Sequence, residues 1–102
     1  MKQIGRLVER MIYLVRLKVD YNFLWNLRAW LARIAFHQHT YYPTRGTEYH
    51  VDFFFIKVED MTLLIICDYR ETESEIDVYY IPRPITKEEA EGILRDQWPE
   101  FL

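Results

Sequence analysis

His50-Val51-Asp52-Phe53-Phe54-Phe55-Ile56-Lys57-Val58, then Glu59-Asp60, then Met61-Thr62-Leu63-Leu64-Ile65-Ile66-Cys67-Asp68-Tyr69 is the stretch that decides the fold. Side chains alternate sides along a strand, so four consecutive apolar residues fill both faces. Phe53–Ile56 and Leu63–Ile66 are two such runs, joined by a polar turn. The sequence therefore predicts a pair of central antiparallel strands over 49–58 and 62–69.

Downstream, Glu75–Ile81 alternates Ile76, Val78 and Tyr80 with Glu75, Asp77 and Tyr79. That period predicts a third strand with one wet face. Pro82 and Pro84 end it. Thr86 followed three residues later by Glu89 has the form of a capping box, and predicts a helix running to about Trp98.

Upstream, Tyr13, Val15, Leu17 and Val19 alternate with Leu14, Arg16 and Lys18, which predicts a strand over 11–19 with one buried face. Asp20 or Asn22 can cap a helix over 22–37. On it Phe23, Leu24, Leu27, Trp30, Leu31 and Ile34 form a broad apolar face, with a second apolar strip of Trp25, Ala29, Ala32 and Phe36. Residues 39–47 read as a loop punctuated by Pro43 and Gly46, and residues 2–10 fit either a helix or a strand. The expected architecture is one α+β domain over 1–102, of order β-α-β-β-β-α with room for an extra N-terminal element. Its antiparallel sheet is expected to carry the helices on one face.

The 102 residues are half hydrophobic and 17% aromatic, which excludes a disordered chain. Net charge is −3, but residues 1–45 hold eight basic side chains against two acidic, and residues 46–102 five against fourteen. Cys67 is alone, so no disulfide forms within the chain, and an intracellular, reducing, cytoplasmic location is expected. Arg6, Arg10 and Arg16 break any secretory apolar stretch, and no segment has the length and apolarity to span a membrane.

Several groups of residues carry candidate chemistry. His37, His39, His50 and Asp52 are the weak candidates for a metal site, since imidazole and carboxylate suit a divalent ion. The bland alternative for His37 is a polar helix stripe, and i, i+2 residues of a helix point apart; no metal and no cofactor are expected. Cys67 beside Asp68 lies in an apolar run and reads as a buried thiol rather than a nucleophile. Residues 50–68 superficially resemble the PD-(D/E)XK nuclease core, with Asp52 as its first acid. That family's acid-x-lysine pair has no counterpart in register at Ile66-Cys67-Asp68, so the resemblance implies no catalytic set here. The element order also resembles double-stranded RNA-binding domains, but the basic helix start of that family would fall on the acidic Lys87-Glu88-Glu89-Ala90-Glu91.

Glu71, Glu73, Glu75 and Asp77 stand at two-residue spacing and form an acidic strip that could imitate a phosphate backbone. The plainer readings are a solvated hairpin, or attraction between the basic and acidic halves. Eight Tyr, six Phe and three Trp exceed what a small core needs. Trp25, Phe36, Tyr41 and Tyr42 are the expected partner-binding residues, because amphipathic rings serve contact sites.

The expected function is a small non-enzymatic module that binds a protein or peptide, including a second copy as a homodimer. Accessory proteins of viruses or mobile elements fit this description. The alternatives are a nucleic-acid-related protein, either a weak binder through the basic half or an acidic phosphate-mimicking inhibitor, and a small metal-dependent enzyme.

Overall fold

The computed structural model describes residues 11–44, 47–69 and 73–99, with the backbone alone for 36–44 and 47–49. Strand β1 (Ile12–Val19) leads into helix α1 (Tyr21–Leu31). Four strands follow, β2 (Phe36–Thr44), β3 (Thr47–Val58), β4 (Met61–Tyr69) and β5 (Ser74–Ile81), and helix α2 (Lys87–Gln97) closes the order. The strands form one antiparallel sheet in the order β1-β5-β4-β3-β2. The α+β class and the antiparallel sheet are those the sequence predicts.

Strand β2 is the departure. The sequence predicts helix to residue 37 and loop over 39–47; the helix instead ends at Leu31, capped at Ala32, and the chain turns into a nine-residue strand. Every residue from Phe36 to Thr44 pairs with β3, Phe36 with Phe55 and Thr44 with Thr47. The reason is the length of β3: its twelve residues present a full row of backbone groups that need a partner on the side away from β4. Phe36, Thr40, Tyr41, Tyr42 and Thr44 are good strand formers. Pro43 is tolerated because β2 is an edge strand. The order is thus β-α-β-β-β-β-α. The N-terminal element left open by the sequence lies outside the described residues.

The two-sided apolar runs are covered from both sides. Val51, Phe53, Phe55, Leu64, Ile66 and Ile81 pack with Ala90, Ile93 and Leu94 of α2. Phe54, Cys67, Tyr69 and Ile76 pack with Leu24 and Leu31 of α1. The helices therefore divide between the two faces of the sheet, where the sequence predicts both on one. The physical reason lies in Phe53-Phe54-Phe55: odd and even positions of β3 point opposite ways, and each set needs its own cover.

Helix α1 is the crossover that makes this possible. Four antiparallel steps leave β1 and β2 running in the same direction at opposite edges. Eleven helical residues reach about 16 Å, against roughly 19 Å for the four strand spacings to be crossed. Asp20 caps the helix, its carboxylate accepting from the Asn22 and Phe23 amides at 3.0 and 3.3 Å. At α2 the capping box forms as the sequence predicts: the Thr86 hydroxyl accepts from the Glu89 amide at 3.1 Å, and Glu89 accepts from the Thr86 amide at 2.9 Å. Arg83 pairs with Glu89 and, as the largest cause, holds its carboxyl below the ordinary range. The β3–β4 hairpin turns in two residues, with Glu59 at φ 55°, a left-handed position costing a side-chain-bearing residue about 1 kcal/mol.

Candidate functional site

The sheet brings the oppositely charged halves of the sequence side by side. Strand β1 pairs with β5 so that Arg16 faces Asp77 and Lys18 faces Glu75. Arg16 Nε lies 2.9 Å from Asp77 Oδ1 and 3.7 Å from Glu75 Oε2, and Lys18 Nζ lies 3.8 Å from Glu73 Oε1. The Tyr13 hydroxyl donates to the same Asp77 oxygen at 2.9 Å, with its ring 5.0 Å from that of Tyr79. Three acids of the strip are thus met by cations of this chain, and Glu71 lies outside the described residues. These pairs sit on an open surface, where each adds little to stability. Their effect is on the potential: the carboxylate row is largely matched from within.

A second polar cluster lies under α1. Asp52 is fully buried in β3, and Arg28 reaches down from the helix to put Nε 2.7 Å from Asp52 Oδ2. The Arg28 guanidinium also sits 5.2 Å from the centroid of the Trp25 ring, a cation–π distance. Trp25 in turn stacks on Tyr69, centroids 4.8 Å apart and planes 23° from parallel. Burial first, then the neighbouring Asp52 carboxylate, raises the Tyr69 hydroxyl above its ordinary range. Trp25 is therefore a half-buried packing residue held between a ring and a cation.

This cluster also bears on the metal candidates. His39 registers opposite Asp52, and His37 opposite Phe54, both on a strand rather than a helix. The helical objection to His37 and His39 thus falls away, although their side chains lie outside the described set. Asp52 is committed to Arg28, and among the described residues no three His, Cys, Asp or Glu side chains stand close enough to hold a metal ion. Phe36, Tyr41 and Tyr42, also expected at a partner site, lie in β2, where only the backbone is described.

Cys67 registers opposite Asp52 and is wholly buried. Burial, then the Asp52 charge, pushes its thiol up to about 12. A thiol so placed holds almost no thiolate at neutral pH. Maleimide at pH 8 is therefore expected to modify native Cys67 at least about a thousandfold more slowly than the urea-unfolded chain, at a rate set by the rare opening of the fold. Labelling of the native protein within a factor of ten of the unfolded rate would contradict this burial.

Several apolar side chains also remain open to water. Ile12, Tyr13, Leu14, Val15 and Leu17 of β1 are all exposed, Leu17 at 48%. The sequence predicts one buried face for this strand; instead α1 lies over the middle of the sheet, and among the described residues no element covers either face of β1. A bulge between Tyr13 and Val15 leaves Leu14 as the extra residue. On α1, Phe23 (54% exposed) and Trp30 (57%) also face water, although the sequence predicts them in the core. The helix is rolled so that Leu24, Arg28 and Leu31 face the sheet, which is the roll that meets Asp52. The surplus of aromatic residues signals a surface of this kind, but apolar periodicity alone could not say which side of an almost all-round apolar helix would be buried.

Among the described residues, no helix is long and apolar enough to cross a membrane. Comparison with family models, curated proteins and solved structures gives no match for this chain.

Proposed function

We propose that this chain is a non-enzymatic interaction module that binds an extended protein segment along the β1 edge and the outer side of α1. The observation that carries this reading is a complete edge strand of eight residues with five exposed apolar side chains. An edge strand offers a row of backbone donors and acceptors, and isolated proteins usually blunt such a row with charge, proline, a bulge or cover; in β1 the bulge at Leu14 leaves Val15–Val19 in regular register. Here Arg16 and Lys18 are the only charges on β1, and both are engaged by acids of β5 or of the segment before it. Addition of a partner strand would satisfy the backbone row, while Val15, Leu17 and Trp30 would supply apolar contacts.

The phosphate-mimicking alternative is weaker, because Glu73, Glu75 and Asp77 already face cations of the same chain. A reducing intracellular setting suits the lone buried thiol.

Displayed random peptides selected on the wild-type protein test the proposal. The enriched sequences are expected to alternate apolar and polar residues, and to bind the Leu17→Lys and Trp30→Ala variants at least about tenfold more weakly, the range of a moderate hot spot. Equal binding to wild type and both variants would remove this surface from the function.

A further inference from the structure

We infer that the partner seated on this surface is a second copy of the same chain, joined edge to edge through β1 across a two-fold axis. This inference rests on the interaction-module reading and names its occupant. Three observations lead to it.

The first is area. Ile12, Tyr13, Leu14, Val15 and Leu17, with Phe23 and Trp30, are each about half exposed. At roughly 100 Å² apiece they offer on the order of 700 Å², close to the ~800 Å² that each partner contributes to a stable interface. A short peptide would cover the strand and leave the helix bare; a folded copy brings both a strand and a helix.

The second is charge. Leu17 registers with Ile76, and Val15 with Val78, on the α1 side of the sheet. Arg16 and Lys18 register with Asp77 and Glu75, on the other side. The α1 side of the edge is therefore uncharged and asks for an equally uncharged surface, which the same patch on a second molecule supplies. On the other side Arg16 and Lys18 of each copy approach those of the other, their charge offset by Asp77, Glu75 and Glu73 of their own chains.

The third is shape. The bulge at Leu14 breaks the ladder near the start of β1, while Val15–Val19 pairs in regular register with β5. Pairing across an axis at Leu17 sets Leu17 against its own copy and Val15 against Val19, keeping apolar residues together on one face. A closed two-fold pair also removes this open edge, so growth along it does not continue.

Light scattering and sedimentation over about 1–100 μM test the inference. Wild type is expected at twice the 12.6 kDa chain mass. Leu17→Lys and Trp30→Lys, each at an exposed site, are expected to remain folded by circular dichroism and to dissociate at least about tenfold more readily. Arg95→Glu, exposed on α2, is expected to leave the dimer intact. A folded wild type that stays monomeric throughout overturns the second copy, as does a dimer that survives both lysine variants. In either case the displayed-peptide experiment decides the interaction-module reading separately, because it scores a foreign segment on the same surface.

Discussion

Replacing Arg28 with alanine is expected to destabilise the fold by about 3–5 kcal/mol, the usual cost of removing one partner from a buried ion pair. Asp52 is fully buried, and Arg28 Nε lies 2.7 Å from its carboxylate. Without the guanidinium, the buried Asp52 carboxylate loses its opposite charge at 2.7 Å, and less of its desolvation cost is offset. The loss of the Arg28–Trp25 contact acts in the same direction. For a domain of this size the change corresponds to a fall of at least about 12 °C in melting temperature. Urea denaturation provides the check, and a loss below about 1 kcal/mol would mean that Asp52 is satisfied without Arg28.

The double variant Arg28→Met, Asp52→Leu discriminates further. Replacing both charges by apolar side chains of similar size is expected to restore most of the stability, because the desolvation cost goes with the charges. If the double variant is as unstable as Arg28→Ala, the pair acts through shape rather than charge. If it is near wild type, the ion pair is retained for something other than stability. The roll of α1, which leaves Phe23 and Trp30 in water, is the natural candidate: an ion pair of defined geometry selects one helix orientation among several that an almost all-round apolar helix could adopt.

That ambiguity also marks where the fold was legible in the sequence. Phe53–Ile56, Leu63–Ile66 and the alternation around Ile76 have a clear period and belong to strands that the structure keeps. Thr86 and Glu89 form the capping box their spacing predicts. The sequence failed at Phe36–Thr44, where five aromatic or imidazole side chains and two threonines suit strand and loop alike. There the long open edge of β3 decides the outcome, and no local pattern encodes it. The assignment of helices to faces failed for a related reason: period 2 in β3 requires two covers but does not say which helix supplies which. The charge asymmetry was legible as a number, and its meaning appeared only when β1 came to lie beside β5. Of the expected contact residues, Trp25 packs inward on Tyr69, while the apolar surface that is open lies on β1 and the far side of α1.

Phe53→Ala and Phe54→Ala are expected to cost about 3–5 kcal/mol each, as deletions of fully packed aromatic side chains. Both are essentially inaccessible to water, yet they are neighbours in β3 and serve different layers. Phe53 packs with the α2 cluster and lies 5.5 Å, ring to ring, from Trp98. Phe54 packs with Leu24 and Leu31 of α1. A cavity under one helix loosens that helix before the other, because the sheet between them stays hydrogen-bonded. Native-state hydrogen exchange should therefore separate the two variants. Phe54→Ala is expected to lower protection chiefly in α1, and Phe53→Ala chiefly in α2. Combining them should remove about 6–10 kcal/mol, a large part of the roughly 5–15 kcal/mol such a chain holds, leaving it marginally stable or unfolded at 25 °C. Equal loss of protection in both helices from either single variant would mean that the layers form one cooperative unit. Loss in α1 alone would carry a second consequence: Trp30 and Phe23 ride on that helix, so Phe54→Ala should weaken association at the outer surface while Phe53→Ala, at a similar thermodynamic cost, leaves it nearly unchanged.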